Sequence, residues 1–453
     1  MEPAASVWLS AGLPEASLHH LHLDEPANPT WSSFKLGDAA QTAIGLSALS
    51  AAYFHQLQSG VEQDVWVDSA HAALEFHSEA HYTLDGVKPG SIWDTIAGLY
   101  KTRSGGHARI HTNFPHHRRG ILDILDIPDT PSVTRAQVQE ALIQWDSVDF
   151  ETEAARWGMC ATAYRTFDEW NVHPQAEALR GVPPVMLTRI GDAPKRHTVP
   201  GTRPLEGIRV LDLSRVLAGP VAGRTLAAHG ADVLLVTSPN LPALPALDAD
   251  TCRGKRTTQL DLNTQQGRDK LSSLSRHADV FLQAYRPGGL EAKGFGPRPG
   301  SGMVYASLNA WGWDGPWKDR RGFDSLVQTA TGFNADEGAA FGESGPRPLP
   351  MQALDHAAGY LLAFGINAAL CKTVTEGGTW DVRVSLAAVG QWIRSLGRAV
   401  PVAGNELDVS ELLVDWEGER KMRALRHAAN MSETPVKVGN APVRLDMHEP
   451  EWY

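Results

Sequence analysis

Apolar positions are densest in two stretches of the chain. Leu36–Phe54 reads LGDAAQTAIGLSALSAAYF, and 348–370 reads PLPMQALDHAAGYLLAFGINAAL. Both are rich in alanine and glycine, and each carries an aspartate, Asp38 or Asp355, near its start. A Pro-flanked entry, an acidic residue and then steady apolar content predict a helix N-terminus. Between the two stretches the pattern changes style. Ile208–Leu213 is an apolar run, Ser214–Pro220 a loop, Ala222–His229 a helical segment ending at Gly230, and Asp232–Val236 a second apolar run. Strand, loop, helix, strand in that order predicts a parallel, doubly wound sheet. Val280–Gln283, Met303–Leu308 and Trp380–Val384 predict further strands, with helices over Arg268–Arg276, Phe323–Thr331 and Ser385–Leu396.

Upstream, Val65–Val67 predicts a short strand and Ser69–His81 a helix. Ala97–Arg103 and His107–Thr112 flank Ser104-Gly105-Gly106, a hairpin signal. Arg135–Asp146 places Val138, Ala141, Leu142 and Trp145 on one helical face. The run 191–206, GDAPKRHTVPGTRPLE, is rich in Pro, Gly and charge and predicts a linker. The expected organisation is a partial first segment (1–90), a small α+β domain (91–190), the linker (191–206), a Rossmann-like α/β domain with a parallel sheet (207–397), and a polar, irregular, surface-hugging tail (398–453).

The two Ala-rich stretches are related at one constant offset. Asp38 falls on Asp355, Ala40 on Ala357, Ala51-Ala52 on Ala368-Ala369, and Val65 and Val67 on Val382 and Val384 without a gap. The carry-over into the strand favours a partial duplication over compositional chance. Only the second copy is preceded by the strand–loop–helix–strand region.

Composition narrows the class. The 453 residues are 42% hydrophobic and 21% charged, as expected for a globular chain of two or three domains. The net charge of −11, without a block of like charges, argues against a nucleic-acid surface. The three cysteines, Cys160, Cys252 and Cys371, show neither metal spacing nor a paired framework, so a reducing compartment is expected. With no secretory signal pattern and no uninterrupted apolar run of about 20 residues, the expectation is a cytoplasmic protein that does not span a membrane, a mitochondrial or peroxisomal location remaining open.

Asp355 is the first candidate for chemistry. At a helix N-terminus it can act as a cap. It can also be a nucleophilic carboxylate, kept ionised by the helix dipole and the free backbone N–H groups. Val216-Leu217-Ala218-Gly219-Pro220, between a strand and a helix, is a ligand-loop candidate but not a dinucleotide fingerprint. His77 and His81 are four apart, but Glu79 is misplaced for a zinc-hydrolase motif and no third ligand is evident. No metal site is expected. His107, His111, His116 and His117 with Arg118 and Arg119 form a basic stretch that is either solvated or in contact with an anion. Trp311-Gly312-Trp313-Asp314-Gly315-Pro316-Trp317 is either a packed turn or a loop over an apolar ligand, and Arg320 and Arg321 follow as phosphate candidates. Asp212 is expected to be structural.

Several ordered motifs carry a resemblance. They are Pro204-Leu205-Glu206-Gly207-Ile208-Arg209-Val210-Leu211-Asp212-Leu213-Ser214, Val216–Pro220, His229-Gly230-Ala231-Asp232-Val233 and Gly254-Lys255-Arg256 with Leu260-Asp261-Leu262. Ala278-Asp279-Val280, Tyr285-Arg286-Pro287-Gly288, Tyr305-Ala306-Ser307 and Asp314-Gly315-Pro316 complete the set. In this order residues 204–397 resemble the family III CoA-transferases, the CaiB/BaiF family, which includes formyl-CoA and carnitine CoA-transferases. The resemblance implies a Rossmann-like large domain plus a small domain, and a homodimer of interlocked rings. It implies that Asp355 is the nucleophile and that Ala218, Leu260, Tyr285, Arg321 and Phe323 contact CoA. Residues 65–190 resemble the region that normally follows the nucleophile helix, so the chain reads as a truncated tandem whose halves complete each other.

This sequence departs from the family pattern at Leu217, Thr237, Ser238, Ala284 and Ala292, the last with Lys293 adjacent, which implies rearranged CoA phosphate contacts. The implied partners are an acyl-CoA and a carboxylic acid. The implied reaction proceeds through an aspartyl anhydride and an enzyme–CoA thioester, with oxyanions held by N–H groups at the start of the Asp355 helix and no bound cofactor. Two alternatives stand beside it. One is an α-methylacyl-CoA racemase, which pairs the aspartate with the histidine of a Gly-His-Asp motif, here Gly322-Phe323-Asp324. The other is a non-catalytic CoA-binding or scaffold protein.

Overall fold

A seven-stranded sheet organises the larger part of the chain in the computed structural model, which describes residues 1–24, 32–400 and 408–453. Its strands are β1 (Met186–Gly191), β2 (Arg209–Leu213), β3 (Asp232–Thr237), β4 (Arg256–Gln259), β5 (Val280–Gln283), β6 (Val304–Asn309) and β7 (Thr379–Ser385). Their spatial order is β4-β3-β2-β5-β6-β7-β1. β2 to β7 run parallel, and β1 closes the edge antiparallel to β7. Val210, Leu211, Val233, Leu234, Val280, Leu282, Val304 and Ala306 are all buried, as a sheet covered on both faces requires. The strand order reverses between β2 and β5. In open parallel sheets ligands bind outside the carboxyl ends of the strands at such a point.

Four helices position the site: α1 (Leu36–Ser59), α2 (Ala218–Ala228), α3 (Asp324–Thr331) and α4 (Ala353–Thr375). α4 is the spine. By length and composition it is apolar enough to cross a membrane, but almost all of it is buried inside the protein, against α1, α2 and β7. Its glycines permit the close packing. A Cβ on Gly359 would sit 2.6 Å from the Ala218 carbonyl oxygen, and one on Gly365 2.6 Å from Val382.

The repeat has a structural counterpart. The helix entries match: Lys35 has φ −75° and ψ 59°, and Gln352, its counterpart in the second copy, has φ −79° and ψ 63°. After each long helix comes a strand and then a capped helix. Asp68 accepts a hydrogen bond from the His71 N–H, and Ser385, at the same offset, accepts one from Ala388. The strand of the first copy, Val65–Val67, pairs parallel with Leu21–Leu23 and antiparallel with Ala429–Met431. β7 is likewise flanked by parallel β6 and antiparallel β1. The small sheet therefore reproduces one edge of the large one. The antiparallel strands are exchanged: β1, from the chain that follows the first copy, closes the second copy's sheet, and Ala429–Met431 closes the first copy's. At the centre Asn367 Nδ2 donates to Ser50 Oγ at 3.2 Å, and these two positions are separated by the offset of the repeat itself. α1 and α4 therefore meet across a local two-fold axis.

Between the copies lies a small antiparallel sheet, Gly98–Lys101, His107–Ile110 and Ala161–Ala163. It has its own core, including Tyr100, Ile110, Ile121, Val138 and Phe150.

Several details differ from expectation. Met186–Gly191 lies in the stretch assigned to the small domain, yet it is an edge strand of the large sheet. β4 was not expected. Ser69–His81 is a shorter helix, Ser69–Glu75, followed by a 3-10 turn at Ser78–Ala80. The tail, of which 401–407 lie outside the described residues, is not irregular: Leu413–Trp416, Met422–Leu425 and Ala429–Met431 are strands. The Trp-rich loop is a packed turn. Trp311 and Trp317 are buried, and Gln175 clamps the loop by donating to the Trp311 and Asp314 carbonyls while accepting from the Trp317 N–H.

Candidate active site

The loops after β2, β5 and β6 open onto a cavity of about 330 Å³ at the switch point. Val216–Gly219, Ala284–Pro287 and Leu308–Ala310 form three of its walls, and Arg320–Phe323 another. Phe114, His116 and His117 of the small domain close it from above, and Asp355 stands at its floor. Of the residues that the resemblance assigned to CoA, Ala218, Tyr285, Arg321 and Phe323 line this cavity together with Asp355. Leu260 does not. It packs in an apolar cluster with Leu213, Val236 and Phe281, against which Tyr285 leans.

The loop that precedes α2 is strained. Val216 has φ +72°, a left-handed conformation costly for a β-branched residue and common where a binding loop is held to shape. Buried side chains hold it: Lys255 Nζ donates to the Pro220 carbonyl at 2.8 Å and to Asp212 Oδ2 at 2.9 Å, and both ionic groups are fully buried. Asp212 thus has the structural part expected of it.

Asp355 is the third residue of α4 and is not its cap. That part is played by Asp324, at the start of α3, whose Oδ2 accepts the Leu354 N–H at 2.7 Å and the Asp355 N–H at 3.0 Å. This overturns two expectations. The Leu354 and Asp355 N–H groups at the start of α4 are engaged by Asp324 and are not free to hold an oxyanion. Nor is Asp355 kept ionised by its helix: burial, then the Asp324 carboxylate, then Glu79 push it well above the ordinary aspartate range. Burial also raises Asp324, its hydrogen bonds to α4 and Gln328 only partly offsetting that. No hydrogen bond among the described residues reaches the Asp355 carboxylate, so it faces the cavity unencumbered. Asp324→Asn keeps an oxygen for the two N–H groups and removes the neighbouring charge. It should move the acid limb of any Asp355-dependent rate to lower pH by about one unit. A pH–rate profile with an unmoved acid limb would contradict this electrostatic assignment.

The cavity is electropositive. Arg215 lies over the Phe114 ring at 5.0 Å and donates to the Pro242 carbonyl. Arg321 Nη1 reaches His117 Nε2 at 2.5 Å. Burial, then His116 and Arg321, push His117 down to about 3, so it is neutral and accepts that hydrogen bond. Phe323 lies flat on His111, ring centroids 3.8 Å apart. His111 is buried and also pushed down to about 3, by burial and then Arg109. No local pattern pointed to Arg215, or to Asp324 as a cap. Gly322-Phe323-Asp324 drew attention only through its middle residue.

The architecture has relatives. The family model of CoA-transferase family III matches residues 205–397. Over this segment, less than half of the chain, the protein is similar to CoA-transferase family III. Acetyl-coenzyme A transferase nodX of Hypoxylon pulicicidum is 30% identical over 67% of this chain and 55% of its own length. An acyl-CoA transferase of Gibberella moniliformis is 31% identical over 72% of this chain and 65% of its own. The probable fatty acyl-CoA transferase Rv3272 of Mycobacterium tuberculosis is 35% identical over 44% of this chain and 55% of its own. A crystal structure of Rv3272 aligns over 43% of this chain and 57% of that one, with 34% identity and a TM-score of 0.38. The chain thus spans between 55% and 65% of the length of these curated relatives.

Proposed function

We propose that this chain is a CoA-transferase that moves CoA from an acyl-CoA to a carboxylic acid, with Asp355 as the covalent nucleophile. The observation that carries the reading is the Asp355 carboxylate, free of hydrogen bonds from the described residues and lining an electropositive cavity at the sheet's switch point. A carboxylate oxygen of Asp355 attacks the thioester carbonyl. The C–S bond breaks, giving an aspartyl anhydride and CoA thiolate. Thiolate then attacks the aspartyl carbonyl, releases the donor acid and leaves an aspartyl–CoA thioester. The acceptor carboxylate reverses the sequence. Two covalent steps replace one slow exchange. Arg215 and Arg321 supply charge for the phosphates of CoA, and Tyr285 and Phe323 supply flat apolar walls. Ala218 and Gly219, at the first turn of α2, have backbone N–H groups without intrahelical partners and are the oxyanion donors of this reading. Racemisation is disfavoured because Phe323 removes the second base and His111 is stacked behind it.

The test is chemical trapping. Incubation with a panel of acyl-CoAs, quenching with hydroxylamine and peptide mass spectrometry should find a hydroxamate at Asp355. No adduct at Asp355 with any member of a broad panel would sink the reading and leave a non-catalytic CoA-binding protein.

A further inference from the structure

Behind Asp355, away from the cavity, lies a buried ionic cluster built from both repeats. His356, the next residue in α4, is fully buried, and its Nε2 is 2.9 Å from Glu79 Oε2. Glu79 belongs to the 3-10 turn of the first copy and is itself buried. The imidazole stacks on Phe76, ring centroids 5.7 Å apart, and its Nδ1 has no partner among the described residues. The cluster continues on each side. Asp250, on the helix Pro245–Thr251, binds Arg224 at 2.6 Å, Arg253 at 2.7 Å and Ser78 at 2.7 Å. Glu75 accepts from the Tyr360 hydroxyl at 2.7 Å and lies 2.8 Å from His427 Nδ1. His77 adds a further charge beside Glu79. In front, Asp355 faces Asp324 and the cavity's Arg215, Arg286, Arg320, Arg321, His116 and His117.

The charges constrain one another. Glu75, Glu79 and Asp250 are buried carboxylates in this cluster, and its guanidinium groups are Arg224 and Arg253. The two imidazoles of the cluster, His356 and His427, each lie within hydrogen-bond distance of one of these carboxylates. Removing one partner of a buried pair strands the other's charge, whereas removing both is nearly neutral. We propose that the Glu79–His356 pair, one residue from each repeat, governs the ionisation of Asp355, and that Glu79 and His356 are positioning residues for the nucleophile. Burial alone would raise Glu79, but the His356 charge and hydrogen bond outweigh it and hold the carboxylate low. The pair is then close to neutral as a unit. Without His356 it becomes an unpaired negative charge beside Asp355, and without the Glu79 carboxylate it removes one repulsion.

The inference rests on the reading of Asp355 as the reacting carboxylate, but its readout does not need turnover. Carbodiimide coupling of an amine to protonated carboxyls, quantified at Asp355 by mass spectrometry across pH, gives the ionisation midpoint directly. His356→Asn should raise that midpoint by about one pH unit, and His356→Asn with Glu79→Gln should return it towards the wild type. Glu79→Gln alone, which keeps an acceptor for His356, should lower the midpoint and serves where His356→Asn does not fold. A double variant no closer to wild type than His356→Asn, or a Glu79→Gln midpoint unmoved or raised, would overturn the proposal. Shifted midpoints without any acyl-CoA adduct would leave this electrostatic inference standing and remove the transferase reading.

Discussion

On the proposed reading, Asp355→Ala should abolish CoA transfer, a fall on the order of 10⁴- to 10⁶-fold in kcat, whereas Asp38→Ala should leave turnover within about two-fold of wild type. The contrast is sharp because the two aspartates occupy the same place in two copies of one unit. Each is the third residue of a long helix entered through the same backbone turn. Their surroundings differ. Asp355 is buried under Asp324 and faces the cavity walled by the β2, β5 and β6 loops. Asp38 has none of these loops before it. Its side chain is 24% exposed, and Lys35 Nζ, 3.9 Å away, only partly offsets the rise that burial imposes on its carboxyl. Steady-state assays of the two variants with one acyl-CoA donor and acceptor settle the matter. Comparable losses from both would show that the first copy takes part in the chemistry.

Lys255→Ala destabilises the protein by about 3–5 kcal/mol. The ammonium is fully buried, and its removal leaves the fully buried Asp212 carboxylate with, among the described residues, only the Ser214 hydroxyl as a side-chain partner. The damage is local to the site. Lys255 also ties down the Pro220 carbonyl, at the end of the strained Val216–Gly219 loop. Gly223 packs so closely on the pair that a Cβ there would lie 2.2 Å from Asp212 Oδ2, so α2 has no room to shift and compensate. Urea unfolding measures the loss. Replacing both partners, Lys255→Met with Asp212→Leu, should recover much of it. A Lys255→Ala variant as stable as wild type would mean that the pair is solvated in solution.

The sequence disclosed what is local. The β2–α2–β3 unit was legible because period and loop chemistry lie side by side in one short stretch, and Asp355 because a Pro-flanked apolar helix marks its own start. Four of the five residues assigned to CoA share the cavity because the start of α2, the turn after β5 and the entry to α3 converge at the switch point. Leu260 follows β4, away from the switch point, and turns into the core. The rest depended on contacts that no local pattern encodes. Asp324 begins one helix and caps another, α4, that starts only after α3 and a further helix have ended. β1 was read with the small domain because its Met-Leu-Thr-Arg-Ile-Gly pattern does not say which sheet it joins. Ala429–Met431 is too short to announce itself, and its partner Val65–Val67 lies near the opposite end of the chain. The Trp-rich loop was legible only as a packed turn or a loop over a ligand, and it is Gln175, distant in sequence, that makes it a fixed turn.

The exchange of edge strands has a consequence for how the protein comes into being. The first copy's sheet cannot be finished when that copy has been synthesised, and the edge strand of the second copy's sheet is made before the strand it pairs with. β1 leaves the ribosome long before β7 and must wait for it. Val65–Val67 waits longer still, until Ala429–Met431 emerges. Throughout that interval two strand edges stand open, the kind of surface on which nascent chains stick to one another. Once the last segment closes, covalent linkage makes both sheets independent of concentration, and dilution cannot undo the exchange.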